Sequence, residues 1–150
     1  MGAVMNAVSP LAGAQRVDGW EPRFHAVIEA SRGEPYVLGE FDCFRFACRV
    51  IEALTGIDRW PEFSGRYTTR REAMRALHAY GASFTAAATA FFGSEPQTWK
   101  RARRGDILEY RSADGEAHLA VGMGTHALVC TDAGLLALPL SACLHCWRIG

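Results

Sequence analysis

The sequence has almost no lysine and no net charge. Lys100 is its single lysine, and sixteen basic residues balance sixteen acidic ones. A neutral chain has no long-range field that would attract nucleic acid or an anionic membrane. The sequence also lacks an apolar run of the roughly 20 residues needed to cross a bilayer. We therefore expect no nucleic-acid partner and no membrane span.

Little of the chain falls outside a single folded domain. With 150 residues, 49% of them hydrophobic, it can bury one core of ordinary size. Residues 1–17 have no basic residue before Arg16 and fit a secretory signal poorly, so we expect a loose N-terminal arm there. We expect one soluble domain over residues 18–150. Five cysteines are an odd number, which favours a reducing compartment and at least one free thiol.

Helical patterns fill the first two thirds of the sequence. Asp18 is placed to cap a first helix, with Pro22 in its opening turn. The segment FDCFRFACRVIEALTG repeats apolar residues at spacings of three and four and stops at Gly56. Asp42 occupies the N-cap position of this second helix. Cys43 is therefore predicted to lie in its first turn.

Two further helices and a run of strands complete the pattern. Thr69 and Glu72 form a capping box, and an Ala-rich helix is expected at residues 84–92. Both belong to a helical insert at about 57–104. After Gly105 the pattern changes to strands separated by turns. Helices followed by a strand meander predict an α+β domain, with N-terminal helices packed on a C-terminal antiparallel β-sheet.

Cys43 and His118 are the strongest candidates for chemistry. A cysteine at a helix start faces unpaired backbone N–H groups and the positive end of the helix dipole, which favour the thiolate. His118 begins a predicted central strand, from which its ring can reach a helix terminus. Either residue alone is more often an ordinary packed side chain. Together they predict a thiol nucleophile and its base, with reacting atoms within about 4 Å.

Three motifs surround this pair in a fixed order. The stretch GEPYVLGEFDCFRFACRV precedes RRGDILEY, and AHLAVGMG follows. This order resembles the NlpC-type cysteine peptidase family, in which Pro-Tyr-x-x-Gly leads into Asp-Cys at a helix start. In that family a Gly-Asp strand then precedes a strand that begins with His. The compact form, ending in WRI, is similar to NlpC-like proteins encoded among phage tail genes.

The resemblance implies a papain-like fold and a cysteine peptidase or amidase that hydrolyses peptidoglycan stem peptides. It also implies a location at the tail tip of a virion or phage-like particle made in the bacterial cytoplasm. The implied partners are stem peptides and tail-tip or hub proteins. No cofactor and no metal are implied.

The resemblance also assigns roles to individual residues. Cys43 matches the nucleophile and His118 the general base. Tyr36 matches a tyrosine that lies near the thiol, and Tyr36 and Asp42 are assigned to the substrate and oxyanion site. The residue that orients the imidazole is expected on the strand after His118, and Thr131 is the predicted residue.

Two other functions stay open. The family continues Asp-Cys with Ser-Gly where this chain has Phe44 and Arg45, and Cys130 is the other residue near the orienting position. These departures favour, as a second hypothesis, a papain-like assembly module with weak or no hydrolysis. The third is a metal- or cluster-binding adaptor built on the CxxC pair Cys143 and Cys146. If this segment is a strand, Cys143 and Cys146 point to opposite faces because they are three positions apart, which disfavours binding of one metal ion by both.

Arginines at positions 66, 70, 71 and 75 form a basic cluster within the predicted insert. We expect this cluster to dock onto an acidic tail-hub partner, and the alternative is a solvated helix face. His126 is expected to be a surface residue and Asp132 a turn residue.

Overall fold

The computed structural model describes residues 8–150 and shows an α+β domain. Among these residues, four helices precede a six-stranded antiparallel sheet. Helices α1 to α4 span Trp20–Ser31, Cys43–Thr55, Arg70–His78 and Phe84–Phe92. Strands β1 to β6 span Gln97–Thr98, Ile107–Arg111, Ala117–Gly122, His126–Thr131, Gly134–Pro139 and Cys143–Trp147. None of the helices in this part of the chain is long and apolar enough to span a membrane.

Helix α2 begins and ends where the sequence predicts. Asp42 Oδ1 accepts a hydrogen bond from the Arg45 N–H at 2.9 Å, which satisfies a backbone donor of the first turn. Gly56 closes the helix in the left-handed conformation, at φ +77°, which glycine adopts without steric cost. The buried face of α2, including Val50 and Leu54, packs in the main core.

The other helix starts agree with the predictions except in α1. The N-cap of α1 is Gly19 rather than Asp18, and no side chain in the described part of the chain caps this helix. Gly19 takes a left-handed conformation, φ +73°, that turns the chain into the helix one residue later than predicted. The capping box of Thr69 and Glu72 is present, and α4 spans the predicted residues.

The strand order is β1-β6-β2-β3-β4-β5, so the predicted strands form one continuous sheet. The short strand β1, which the sequence did not predict, pairs with β6 at one edge. Strand β4 pairs with β5 over its whole length. It pairs with β3 only at Val121↔Leu128 and Gly122↔Ala127. The start of β3 and the end of β4 therefore separate and leave a gap within the sheet.

Apolar side chains pack on both faces of the sheet. One face of β3, formed by Ala117, Leu119 and Val121, belongs to the main core with the helices. Ala120 points to the opposite face and belongs to a second cluster with Leu108 of β2. The helices therefore cover one face, and the other face closes over a smaller core of its own.

The described part of the predicted N-terminal arm, residues 8–17, lies against the domain. Leu11 is only 6% exposed and joins the main core. Arg16 donates to the Ile149 carbonyl at 2.9 Å and to Asp106 Oδ1 at 3.2 Å. These contacts make residues 8–17 part of the packed structure, while residues 1–7 of the predicted arm lie outside the described residues.

The segment predicted as a helical insert, about 57–104, contributes to the same core. Phe63, Leu77 and Phe91 from this segment are buried in the main core, and β1 from the same segment completes the sheet edge. The segment is therefore joined to the domain by packing and by strand pairing, which an appended docking element would not need.

Cys143 and Cys146 both lie in the second cluster, on one face, whereas strand alternation predicted opposite faces. The reason is an irregularity in the β2–β6 ladder between Leu108↔Cys146 and Tyr110↔Cys143. One extra residue on β6 between these two pairs turns both cysteine side chains to the same face of the sheet, as in a β-bulge. Between residues 8 and 150, no group of three or more His, Cys, Asp or Glu side chains is arranged to hold a metal ion.

Candidate functional site

A pocket of about 190 Å³ lies where β3 and β4 separate. Four of the five predicted site residues line it, namely Tyr36, Cys43, His118 and Thr131. A larger hollow of about 380 Å³ between α1 and α2 is lined chiefly by arginines and alanines, with no cysteine or histidine. The smaller pocket is therefore the one with the chemistry that the sequence suggested. We call it the thiol pocket.

Asp42, the fifth predicted residue, lies behind the thiol and is only 1% exposed. Its carboxylate accepts hydrogen bonds from the backbone N–H groups of Gly39 and Arg45, both at 2.9 Å, and from the Tyr67 hydroxyl. All three donors are groups of the protein itself, so the carboxylate is engaged in contacts within the domain. The geometry thus supports a role in fixing the start of α2 and the position of Cys43.

The Cys43 thiol is almost fully buried, at 8% exposure. Burial raises its pKa to about 12, and the negative charge of Asp42 adds to the increase. The backbone of Leu119 acts in the opposite direction by hydrogen bonding to the sulfur. The sequence-based expectation of a stabilised thiolate is therefore wrong for the resting state, because desolvation outweighs the helix terminus.

His118 is held by a polar chain at the turn between β2 and β3. Its Nε2 lies 3.2 Å from Ser112 Oγ, and the Ser112 hydroxyl donates to the carboxylate of Asp114. Because the one Ser112 proton goes to Asp114, Ser112 Oγ accepts from the Nε2–H. This assigns the tautomer and leaves the Nδ1 lone pair unprotonated. Among the described residues, Nδ1 has no hydrogen-bond partner.

The charge state of His118 is set mainly by burial, which lowers the pKa of the imidazole. The guanidinium of Arg70 lowers this pKa further, and the carboxylates of Glu116 and Asp114 partly offset both effects. The ring is therefore neutral at neutral pH and able to accept a proton.

Cys43 and His118 approach the thiol pocket from different sides of the sheet. Cys43 packs with the helices in the main core. His118 is paired with Tyr110, and the two rings lie 6.1 Å apart on the face that carries Ala120. The gap between β3 and β4 lets both side chains reach one space. Within the described structure, no hydrogen bond joins the thiol to the imidazole.

Tyr36 and Thr131 are joined through the backbone. The Tyr36 N–H donates to the Thr131 carbonyl at 3.2 Å, which fixes the loop before α2 against β4. Burial raises the pKa of the Tyr36 hydroxyl, so this group stays protonated as a donor. The Thr131 hydroxyl donates to the Gly134 carbonyl at 2.7 Å and accepts from the Ala133 N–H. Thr131 therefore stabilises the β4–β5 turn, and Ser112 holds the imidazole.

Arg70, which the sequence assigned only to a docking surface, acts on the thiol pocket through its charge. Its Nε lies 3.0 Å from Glu116 Oε2, and its Nη2 donates to the Ala117 carbonyl at 3.4 Å. Its positive charge lowers the pKa values of Cys43 and Tyr36 as well as that of His118. No signal in the sequence distinguishes Arg70 from its arginine neighbours.

Comparisons with other proteins place the chain in a family. No curated protein matches the sequence. No solved structure matches it either. A family model described as a domain of unknown function, DUF6950, matches residues 15–149, and the chain therefore belongs to that family.

Proposed function

We propose that this protein is a papain-like, NlpC-type cysteine hydrolase that cleaves amide bonds in peptidoglycan stem peptides. The observation that carries the proposal is that Cys43 and His118 line one pocket, with the thiol at a helix start and the imidazole Nε2 held by Ser112. The order of motifs around the two residues supports the substrate class.

The resting pair is a neutral thiol and a neutral imidazole. The pKa of Cys43 is raised to about 12 and that of His118 is lowered, so neither group is charged at neutral pH. A thiol in this state needs a base at the moment of attack. His118 Nδ1 supplies that base directly or through one water molecule, since Nε2 is already protonated.

In the reaction, the Cys43 sulfur attacks the carbonyl carbon of the substrate amide while the thiol proton moves to His118. Collapse of the tetrahedral intermediate breaks the C–N bond, and His118 returns the proton to the leaving amine. Water then hydrolyses the thioester. The Cys43 backbone N–H at the helix start and the protonated Tyr36 hydroxyl are the donors for the oxyanion.

Mass spectrometry of purified stem peptides incubated with the protein tests this function. We expect new cleavage products with the wild type and none with Cys43→Ala. Cys48→Ala, which removes a buried thiol five residues further along the same helix, is the matched control and should retain cleavage in the folded fraction. Equal product from wild type and Cys43→Ala would assign the cleavage to another group.

The proposal extends to a phage-type tail tip, where such an enzyme would open the cell wall locally during entry. The exposed Arg66, Arg71 and Arg75 are suited to an acidic tail-hub partner, whereas Arg70 is paired with Glu116. Arg71→Glu should weaken hub association at low salt without unfolding the domain. Unchanged association would remove this partner surface from the proposal.

A second candidate function is a papain-like assembly module without hydrolysis. Two observations favour it, the raised pKa of the Cys43 thiol and the lack of a thiol–imidazole hydrogen bond among the described residues. Such a module would bind tail-tip proteins equally well as wild type and as Cys43→Ala, with no cleavage by either. The stem-peptide experiment therefore separates the two functions.

A further inference from the structure

We infer that Cys43 and Cys130 are a peroxide-sensitive pair that forms a reversible disulfide across the thiol pocket. Both side chains line this pocket of about 190 Å³. Both also belong to the helix-facing side of the sheet, because Cys43 lies in the main core and Cys130 packs against it. The inference goes beyond the proposed hydrolysis, since it concerns a covalent change in the protein itself.

The separation of β3 from β4 opens Cys130 to the thiol pocket, which Cys43 also lines. The β3–β4 ladder ends at Val121↔Leu128, two residues before Cys130, so no β3 residue pairs with Cys130. Cys43, at the start of α2, borders the same pocket, and its sulfur is hydrogen-bonded by the Leu119 backbone. A negative charge on Cys43 raises the pKa of Cys130, as expected for two thiols that line one pocket.

The remaining three cysteines are poorly placed to compete. Cys48 is 1% exposed and does not line the thiol pocket. Cys143 and Cys146 lie on β6 in the second cluster. A disulfide needs Cα atoms roughly 4.4–6.8 Å apart, so partner choice is set by position before reactivity.

The oxidation balances with a hydroperoxide as the oxidant. The Cys43 sulfur, deprotonated by His118, attacks one peroxide oxygen, and the O–O bond breaks to give a sulfenic acid and water. The Cys130 sulfur then attacks the Cys43 sulfur, an S–S bond forms, and the departing hydroxide takes the Cys130 proton as a second water. Two thiols and one H₂O₂ thus give one disulfide and two waters. The nucleophile is blocked until a dithiol reduces the bond.

Peptide mapping of the full chain after H₂O₂ treatment tests the inference without any substrate. Trypsin and Asp-N together separate the relevant cysteines, with Cys43 in residues 42–45, Cys48 in 46–49 and Cys130 in 114–131. We expect peptide 42–45 linked to peptide 114–131, and the link lost after dithiothreitol. Cys43 found instead as an uncoupled sulfinic acid, as an unmodified thiol, or linked to another cysteine would overturn the inference.

Two variants sharpen the result. Cys130→Ser should leave Cys43 as a sulfenic acid that dimedone traps, while Cys48→Ser should give the same disulfide as the wild type. The peptide map of the wild-type protein tests the disulfide by itself, even where a variant folds poorly. The disulfide and the proposed hydrolysis are tested independently. A protein that forms the Cys43–Cys130 disulfide but does not cleave stem peptides contradicts only the proposed function.

Discussion

Two buried aspartates stand at opposite ends of the α2–β3 pair and have different surroundings. Asp42, at the start of α2, is held by two backbone N–H groups and a tyrosine hydroxyl, all neutral donors. Asp106, beside the end of β3, is 0% exposed and accepts from the guanidinium groups of Arg16 and Arg103 and from the Ile149 N–H.

The donors decide what each carboxylate does to its neighbours. No cation among residues 8–150 contacts Asp42 directly, and its charge raises the pKa values of Cys43, Tyr36 and Cys130. At Asp106 two guanidinium groups balance the charge, and the Arg16 contact connects the N-terminal segment to the residue before β2. A buried carboxylate thus tunes a pocket at one end of α2 and secures the fold at the other.

Asp106→Ala should be the most damaging change. It would leave Arg16 and Arg103 without their buried partner, which typically costs about 3–5 kcal/mol. Guanidinium denaturation would show the decrease in the free energy of unfolding. Asp132→Ala, at an exposed turn position, is the control and should change stability by less than about 0.5 kcal/mol. Similar losses in both variants would contradict the special role of Asp106.

Asp42→Asn should have a smaller effect on stability and a specific effect on the thiol. Asparagine caps a helix about as well as aspartate, but it cannot accept from all three donors that hold Asp42, and losing one such hydrogen bond typically costs about 1 kcal/mol. It also removes the negative charge behind Cys43, so the pKa of Cys43 should fall. The rate of iodoacetamide labelling of Cys43, followed against pH, should shift to lower pH. Asp106→Asn should leave the pH dependence of Cys43 labelling unchanged. A similar shift in both variants would mean that Asp106 affects the Cys43 thiol as Asp42 does.

Arg70→Gln should act on the pH dependence of His118. Burial and the Arg70 charge both lower the pKa of this imidazole, so the acid limb of activity is expected below the usual histidine value of about 6.5. Activity depends on the neutral base and is lost as the pH falls through that pKa. Removing the Arg70 charge should move the limb to higher pH. Arg71→Gln, on the exposed neighbour, should leave it unmoved, as NMR titration of His118 would also report.

Ser112→Ala should give the smallest change, in kcat rather than KM. Losing the hydrogen bond to His118 Nε2 costs about 1 kcal/mol, or roughly a fivefold decrease in kcat, if Ser112 holds the ring. Thr131→Val is the informative comparison, because Thr131 is the residue that the family resemblance predicts for this role. A larger decrease in kcat for Thr131→Val than for Ser112→Ala would restore the original assignment.

Local features of the fold could be predicted because local chemistry determines them. The Asp42 cap, the Thr69–Glu72 box and the helix at 84–92 each depend on residues within a few positions. The start of α1 was missed because the left-handed Gly19 competes with Asp18 as cap. The sequence did not predict that Cys143 and Cys146 lie on the same face, because the irregularity in the β2–β6 ladder cannot be recognised from the residues of β6 alone.

The site was predictable in its residues but not in its environment. The motifs singled out Cys43, His118 and Tyr36, and all three line the thiol pocket. The pKa of the Cys43 thiol depends on burial by parts of the chain far from the helix start. The helix terminus alone therefore predicted a lowered pKa, whereas the pKa is raised. Ser112 was missed because the turn and the β2–β3 register, not sequence spacing, bring it to His118.

The gap between β3 and β4 also has a consequence for local motion. In a continuous ladder, a buried amide hydrogen exchanges with solvent only when the strands open, and its protection approaches that of global unfolding. The ladder ends at Val121↔Leu128, so Cys130 lies beyond its last pair and is paired only with Leu135 of β5. In hydrogen–deuterium exchange the amide hydrogen of Cys130 should be replaced earlier than that of Val121, although both residues belong to the same sheet. The thiol pocket would then coincide with the part of the sheet that opens most readily.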